Sequence, residues 1–328
     1  MLALAALTAL SLGTPDRQAN PPATPALERV ELEGVQPLYR VGPVLLGGQP
    51  TQAGFERLAA QGVSMVVDLR LGTEARGFDQ RALLERLDLS YEVVGFDGPA
   101  TLTDSIFDRV RQLMLEHRSP KRGKLLLHGD GRGRAAAIWL ATRVLDEGVT
   151  WELALLDART VGLASTALET VTRNYVLGAG KQALGATKLR IRRDFPEVAR
   201  LSVTELDARL RQPGPAPLLL DVRAAREYQI SHLKGARRAD DITTARRWLG
   251  DAPPEREVVV YCSVGQRSAN LARQLSRAGY THVRNLEGSL FEWANTGHPV
   301  YRGEEVVGVV HPFNEKWGRL LDGSLHRY

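Results

Sequence analysis

Along the chain, short apolar runs alternate with longer stretches whose apolar positions recur at helical spacing, and this alternation begins at about residue 35. LYRVGPVLLGGQP reads as a hairpin leading into a Gly-Gly-Gln-Pro turn, and TQAGFERLAAQG as a helix with Thr51 as its N-cap. VSMVVDLR is valine-rich and too short for a helix, so it predicts a buried strand. SYEVVGF and KLLLH predict two more strands. DSIFDRVRQLMLEH and RAAAIWLATRVLDEG predict helices, the latter closed by Gly148, and ELALLDARTVGL completes the unit. Strands alternating with helices imply a mostly parallel sheet covered on both faces.

From residue 166 to 198 the period is lost. Glycine, small residues and charge are mixed there, which reads as a connecting segment with room for one helix. Regularity returns at LSVTELDARLRQ, with Ser202 or Thr204 as cap. PLLLDVR and VVVY follow as strands, AAREYQISHLKGA as a short helix and turn, SANLARQLSRAGY as a helix ended by Gly279, and HVRNLEG as a last strand and turn. The fold class is therefore α/β, with two domains, each a mostly parallel sheet flanked by helices. The expected boundaries are 1–34 for a leader and Pro/Ala-rich spacer, 35–165 for the first domain, 166–198 for the linker, 199–301 for the second domain, and 302–328 for a tail packing on it. Phe313 and Trp317 in that tail read as packing residues.

A length of 328 residues suffices for two cores, and 43% hydrophobic with 25% charged residues is the composition of an ordinary globular protein. The net charge of +5, from 43 basic and 38 acidic residues, is a mild bias towards anions. Arginines are scattered, the longest basic cluster is KLRIRRDF, and no aromatic-interleaved basic stripe appears, so nucleic acid is not an expected partner. The start, MLALAALTALSLG before a Pro/Ala stretch, has the apolar run and exit of a secretory signal peptide but no basic residue ahead of the run. Two readings stand: a cleaved leader and a periplasmic or secreted product, or an N-terminal tail on a cytoplasmic one. No other segment approaches the roughly 18 apolar residues of a membrane span, so none is expected in the mature chain. His311 lacks a partner at metal-ligand spacing, and neither a metal nor a cofactor is expected.

The single cysteine, Cys262, stands in VVVYCSVGQRS at the end of an apolar strand. One cysteine cannot form an intramolecular disulfide, so it is either packing or a working thiol. In an open parallel sheet, ligands gather beyond the C-terminal strand ends. The short loop Ser263, Val264, Gly265, Gln266 and Arg267 leads into a helix near Ser268, so backbone N–H groups and the positive helix end converge on one point. Gly265 permits the turn, Arg267 adds a fixed cation, and a thiolate is favoured in such surroundings.

LLLDVRAAREYQISHLKGA followed by VVVYCSVGQRSANLARQLSRAGYTHVRNLEGSLFEWANTGHPV resembles a rhodanese domain over residues 200–300. The resemblance implies a sulfurtransferase in which Cys262 takes a sulfane sulfur as a persulfide and passes it to a thiol or cyanide. Arg267 would join Cys262 in the catalytic site, with Ser263, Val264, Gly265, Gln266 and Ser268 binding the substrate, and Asp221 and Arg223 supporting the loop. A surface ion pair or a helix cap is the other reading of Asp221 and Arg223, and His232 reads as structural. A loop with four residues between Cys262 and Arg267 fits sulfur transfer; related phosphatases have one more. The neutral SVGQ lacks the basic residues of thiosulfate-specialised members, which leaves thiosulfate, polysulfide and persulfide donors open, a protein persulfide partner among them. A cysteine phosphatase or arsenate reductase is the alternative enzyme, and a non-turnover persulfide carrier the alternative binding module.

Residues 36–163, with LLLHGDGRGRAAAIWLA, resemble a bacterial dual-specificity-phosphatase-like domain, but Gly129 stands where that family has its nucleophilic cysteine. Three readings of Gly129, Asp130, Gly131, Arg132, Gly133 and Arg134 stand: a degenerate loop kept for the fold, an anion cradle of N–H groups and arginines, or Asp130 as nucleophile or base. Asp68, Arg70 and Glu74 read as support for this loop.

Overall fold

The computed structural model describes residues 25–328 apart from Arg132, so the expected leader lies outside the described residues. The spacer expected to reach residue 34 gives way earlier, because β1 (Glu28–Arg29) pairs antiparallel with β2 (Leu38–Val41). β2 forms the expected hairpin with β3 (Val44–Gly47). With β4 (Val63–Asp68), β5 (Ser90–Val93) and β6 (Lys124–His128), these make a sheet in the order β1-β2-β3-β6-β4-β5, in which β3, β6, β4 and β5 run parallel.

Both faces of this sheet are covered. Successive side chains of a strand point to opposite faces, so Leu125 and Leu127 of β6 enter one core while Leu126 enters the other, with Phe55 and Leu58. Phe55 and Leu58 belong to α1 (Gln52–Ala60), whose first turn is closed by the Thr51 hydroxyl accepting from Gly54 N at 3.1 Å. α2 (Gln80–Arg86), α3 (Asp104–Glu116), α4 (Arg134–Glu147) and α5 (Trp151–Val161) complete the unit. The alanine-rich α4 is buried from Arg134 through Leu145, since its small side chains let neighbouring elements approach from every side.

The segment read as a connector is, from Thr166 to Asp194, one helix, α6, of 29 residues. Three glycines interrupt its pattern, each costing about 1 kcal/mol against alanine. A Ser165 cap, Glu169 in the first turn and Arg192 and Arg193 in the last favour the helix from its ends. Packing favours it from outside: Leu168 and Tyr175 are buried in the first domain, Leu184 and Ile191 in the second.

The second sheet consists of β7 (Arg200–Leu201), β8 (Leu218–Asp221), β9 (Arg237–Arg238), β10 (Val258–Tyr261) and β11 (Val283–Leu286), all parallel, in the order β7-β11-β10-β8-β9. Its helices are α7 (Val203–Arg211), α8 (Ala225–Ile230), α9 (Ile242–Leu249), α10 (Gln266–Arg277) and α11 (Ser289–Asn295). Ser202, not Thr204, caps α7, and Glu205 closes a reciprocal capping box. The tail adds a hairpin, β12 (Val300–Arg302) with β13 (Glu305–Val307), and a one-turn helix, α12 (Glu315–Gly318). It packs on both domains: Val310, Leu320 and Leu321 join the second core, while the Arg319 guanidinium donates to the Leu145 carbonyl of the first. Among the described residues no helix is long and apolar enough to cross a membrane, and no His, Cys, Asp and Glu side chains cluster in a way that could hold a metal.

Candidate active site

Along β10, Val259 and Tyr261 face one core, while Val258, Val260 and Cys262 face the other. Strand alternation thus carries the thiol inward, and Cys262 is 1% exposed. Immediately after it the chain turns into α10 through Gly265, whose φ of +108° is a left-handed value that favours glycine. A Cβ on Gly265 would also stand 3.5 Å from the Asn285 amide and 3.6 Å from Ile191 of α6. The turn brings Gly265 N to Cys262 Sγ, donating at 3.1 Å.

Burial alone would raise the Cys262 pKa. The Arg267 charge, the polar groups of Ser268 and the Gly265 backbone N–H outweigh it and hold the thiol below its ordinary value. The site therefore favours a sulfur anion at the head of α10. Val264 and Ser268 are buried in the same loop.

Arg267 does not stand alone. Its two terminal nitrogens donate to the Glu227 carboxylate at 2.9 and 2.8 Å, and one also donates to the Ser263 hydroxyl at 2.9 Å. Ser263 in turn donates to Glu227 at 3.2 Å. The ring of Phe313, from the tail, lies 4.7 Å from the Arg267 guanidinium carbon, and Phe313 holds a positive φ of +69°. A bulky residue in that region is a backbone outlier, so the tail bends sharply where it meets the thiol loop. Phe313, read from sequence as packing, therefore reaches the site.

Asp221 and Arg223 form an ion pair of 2.7 Å with both side chains inaccessible, so this is not a surface pair. Arg223 also donates to the Ser231 carbonyl, which ties the turn after α8 to the end of β8. His232 is held by backbone, exchanging main-chain hydrogen bonds with Tyr301, and its ring stacks on Tyr228.

Three residues that position the loop have no place in the sequence reading. Glu227 anchors Arg267. Ser289 accepts from Cys262 N at 3.2 Å, while Leu290 N and Phe291 N of α11 donate to the Cys262 and Ser263 carbonyls. The Asn285 amide donates to the Gly265 carbonyl at 3.1 Å. Only Glu227 left a signal: it lies six residues after Asp221, as Glu74 lies six after Asp68.

The first domain repeats this constellation without sulfur. Asp68 accepts from Arg70 N at 2.9 Å and from its guanidinium at 3.1 and 3.0 Å, much as Asp221 holds Arg223. Glu74 accepts from Leu71 N and takes Arg134 Nη1 at 2.7 Å, as Glu227 accepts from Ala224 N and takes Arg267. Gly131 and Gly133 are both at φ +83°, and Arg132 lies outside the described residues. Arg134, 2% exposed, also donates to the Leu69 carbonyl at 3.1 Å and has Asp130 and Asp97 at 3.6 and 3.7 Å. The Arg134 guanidinium is already surrounded by carboxylates.

Beneath the loop, His128 and Asp68 are both inaccessible and 4.0 Å apart. Burial pushes the His128 pKa down to about 4, helped by Arg70 and Arg76 and opposed by Asp68. Burial would raise Asp68, but His128 and Arg70 bring it down to about 2.

Residues 202–296 match the family model of the rhodanese-like domain. Among curated proteins, the chain is 32% identical over 82 residues to "Probable adenylyltransferase/sulfurtransferase MoeZ" of Mycobacterium tuberculosis, covering 25% of this chain and 21% of that protein. It is also 32% identical over 104 residues to "tRNA uridine(34) hydroxylase" of Streptococcus thermophilus, covering 30% of this chain and 31% of the relative. The chain thus spans less than a third of the length of either relative. Among solved structures, Tk-PTP in its active form overlaps 41% of this chain and 91% of its own, with 17% identity and a TM-score of 0.37. The second domain is rhodanese-like.

Proposed function

We propose that the chain moves a sulfane sulfur from a small anionic donor to a thiol or cyanide through a persulfide on Cys262. The observation that carries this reading is the position of Cys262 Sγ at the focus of its loop, 3.1 Å from Gly265 N and under the influence of Arg267, with its pKa depressed. The thiolate attacks the sulfane sulfur; an S–S bond forms to Sγ, and the donor's bond to that sulfur breaks. The electron pair leaves with sulfite from thiosulfate, or with a thiolate from a persulfide. The outer sulfur of the persulfide carries the negative charge into the same ring of donors. An acceptor thiolate or cyanide then attacks that outer sulfur, and Sγ departs as the thiolate it was. Splitting the transfer into two displacements lowers each barrier, and the depressed pKa makes Cys262 a better leaving group in the second.

Intact-mass measurement after incubation with thiosulfate, polysulfide or glutathione persulfide tests the reading. One added sulfur atom on Cys262, lost on adding cyanide, is expected, and no adduct with any donor would overturn it. Loading without release to cyanide or thiols would mark a persulfide carrier instead.

A further inference from the structure

Between the domains, away from the thiol loop, lies a cavity of about 400 Å³, within the size range of small-molecule sites. One face of α6 forms its floor, from Arg173 through Val176, Leu177, Gly180 and Leu184 to Lys188. These positions recur three and four residues apart over 15 residues, so at 1.5 Å per residue the floor extends for about 22 Å. Val144, Val149 and Trp151 of the first domain form one wall, and Leu320 and Leu321 of the tail another. The space is therefore long and mainly apolar.

Two of the α6 glycines lie on this floor for different reasons. Gly180 is required by the chain itself, since a Cβ there would meet the Arg319 carbonyl at 2.7 Å. Gly185 is not: a Cβ there would meet nothing within 4 Å. In a helix interior, glycine is a poor choice where alanine fits, so at Gly185 helix stability is given up while the cavity stays open.

The charges around the cavity do not cancel. Arg173, Lys181, Lys188 and Arg319 stand against Glu292, Glu315 and Asp322, an excess of one positive charge. Lys188 lies 2.7 Å from Glu292, and Arg173 lies 3.8 Å from Asp322. Among the described residues neither Lys181 nor Glu315 has an ion-pair partner. A long apolar space with one net positive charge suits a long apolar molecule with one negative charge.

We propose that this cavity binds a linear aliphatic monocarboxylate, with its chain along the α6 floor and its carboxylate at Lys181. Calorimetric titration of the full chain with dodecanoate tests this, with dodecyltrimethylammonium as the oppositely charged probe of the same length. Saturable one-to-one binding of dodecanoate is expected, with weaker binding of the cation. Gly185→Phe, which fills the floor, is expected to weaken dodecanoate about tenfold or more, and Lys181→Glu at an exposed position roughly three- to tenfold. Gly185→Ala is expected to bind nearly as wild type and to melt no lower. Absence of saturable binding, equal affinity in wild type and Gly185→Phe, or tighter binding of the cation would each overturn the proposal. If Gly185→Phe does not fold, Lys181→Glu decides: an unchanged dodecanoate affinity there overturns it.

Discussion

The Glu227 carboxylate, wholly inaccessible, takes both terminal nitrogens of Arg267 at 2.9 and 2.8 Å, while Arg267 keeps 35% of its side chain exposed. The two partners are thus unequal. Removing Arg267 leaves a buried carboxylate with only the Ser263 hydroxyl and the Ala224 N–H to offset its charge, whereas removing the Glu227 charge leaves a guanidinium that can turn to water. Arg267→Met is therefore expected to cost about 3–5 kcal/mol of folding stability, and Glu227→Gln only about 1–3 kcal/mol. Urea unfolding of both variants checks the order; a larger cost for Glu227→Gln would contradict it.

Cys262 is expected to react as a thiolate below the range of an ordinary cysteine. Its rate of alkylation by iodoacetamide against pH should turn over below about 8.5, and Arg267→Met should move that turn upward. The linkage has a definite sign. A thiol whose folded pKa is depressed contributes stability that is fully present above its unfolded pKa and lost as pH falls through the folded one. Stability should therefore rise with pH across that window in wild type and lose this component in Cys262→Ser.

In the first domain, Arg134 is engaged by Glu74 and flanked by Asp130 and Asp97. Sulfate should therefore bind wild type and Arg134→Met equally poorly. Glu74→Gln, which withdraws the nearest charge, should gain a sulfate-dependent rise in melting temperature. A rise in wild type that disappears in Arg134→Met would show an anion site already open.

Acid should weaken the fold through His128. Its folded pKa of about 4 lies below the ordinary value of 6.5, so its contribution is complete above about pH 6.5 and is lost as pH falls through about 4. At 1.36 kcal/mol per unit, the loss approaches about 3 kcal/mol. Urea unfolding at pH 7 and pH 4.5 should show a smaller difference in His128→Gln than in wild type. An unchanged difference would place the acid sensitivity elsewhere.

The strand and helix alternation was legible because buried parallel strands read as apolar runs, and VVVY and KLLLH are such runs. The thiol loop was legible because Cys262, Gly265 and Arg267 sit close together in sequence. Short elements were not: α2, α9 and α11 have seven or eight residues each, too few to show a period. α6 was obscured because its two ends bury residues in different domains and its glycines face other segments or open space. Glu227 was hidden for another reason. Its role lies in a contact across 40 residues, and only the matching step from Asp68 to Glu74 hints at it.

Ile191 belongs to what reads as a connector, yet it shares a core with Cys262 and lies 3.6 Å from where a Cβ on Gly265 would sit. A fragment cut at residue 202, where the family match begins, would carry every residue of the thiol loop but would lack this backing. The smallest piece of the chain that keeps the core around the thiol starts inside α6, upstream of Ile191. The structural surroundings of the thiol and the rhodanese-like stretch therefore have different starting points. Anyone transplanting the thiol loop into another protein would have to graft a helix that residues 202–296 omit.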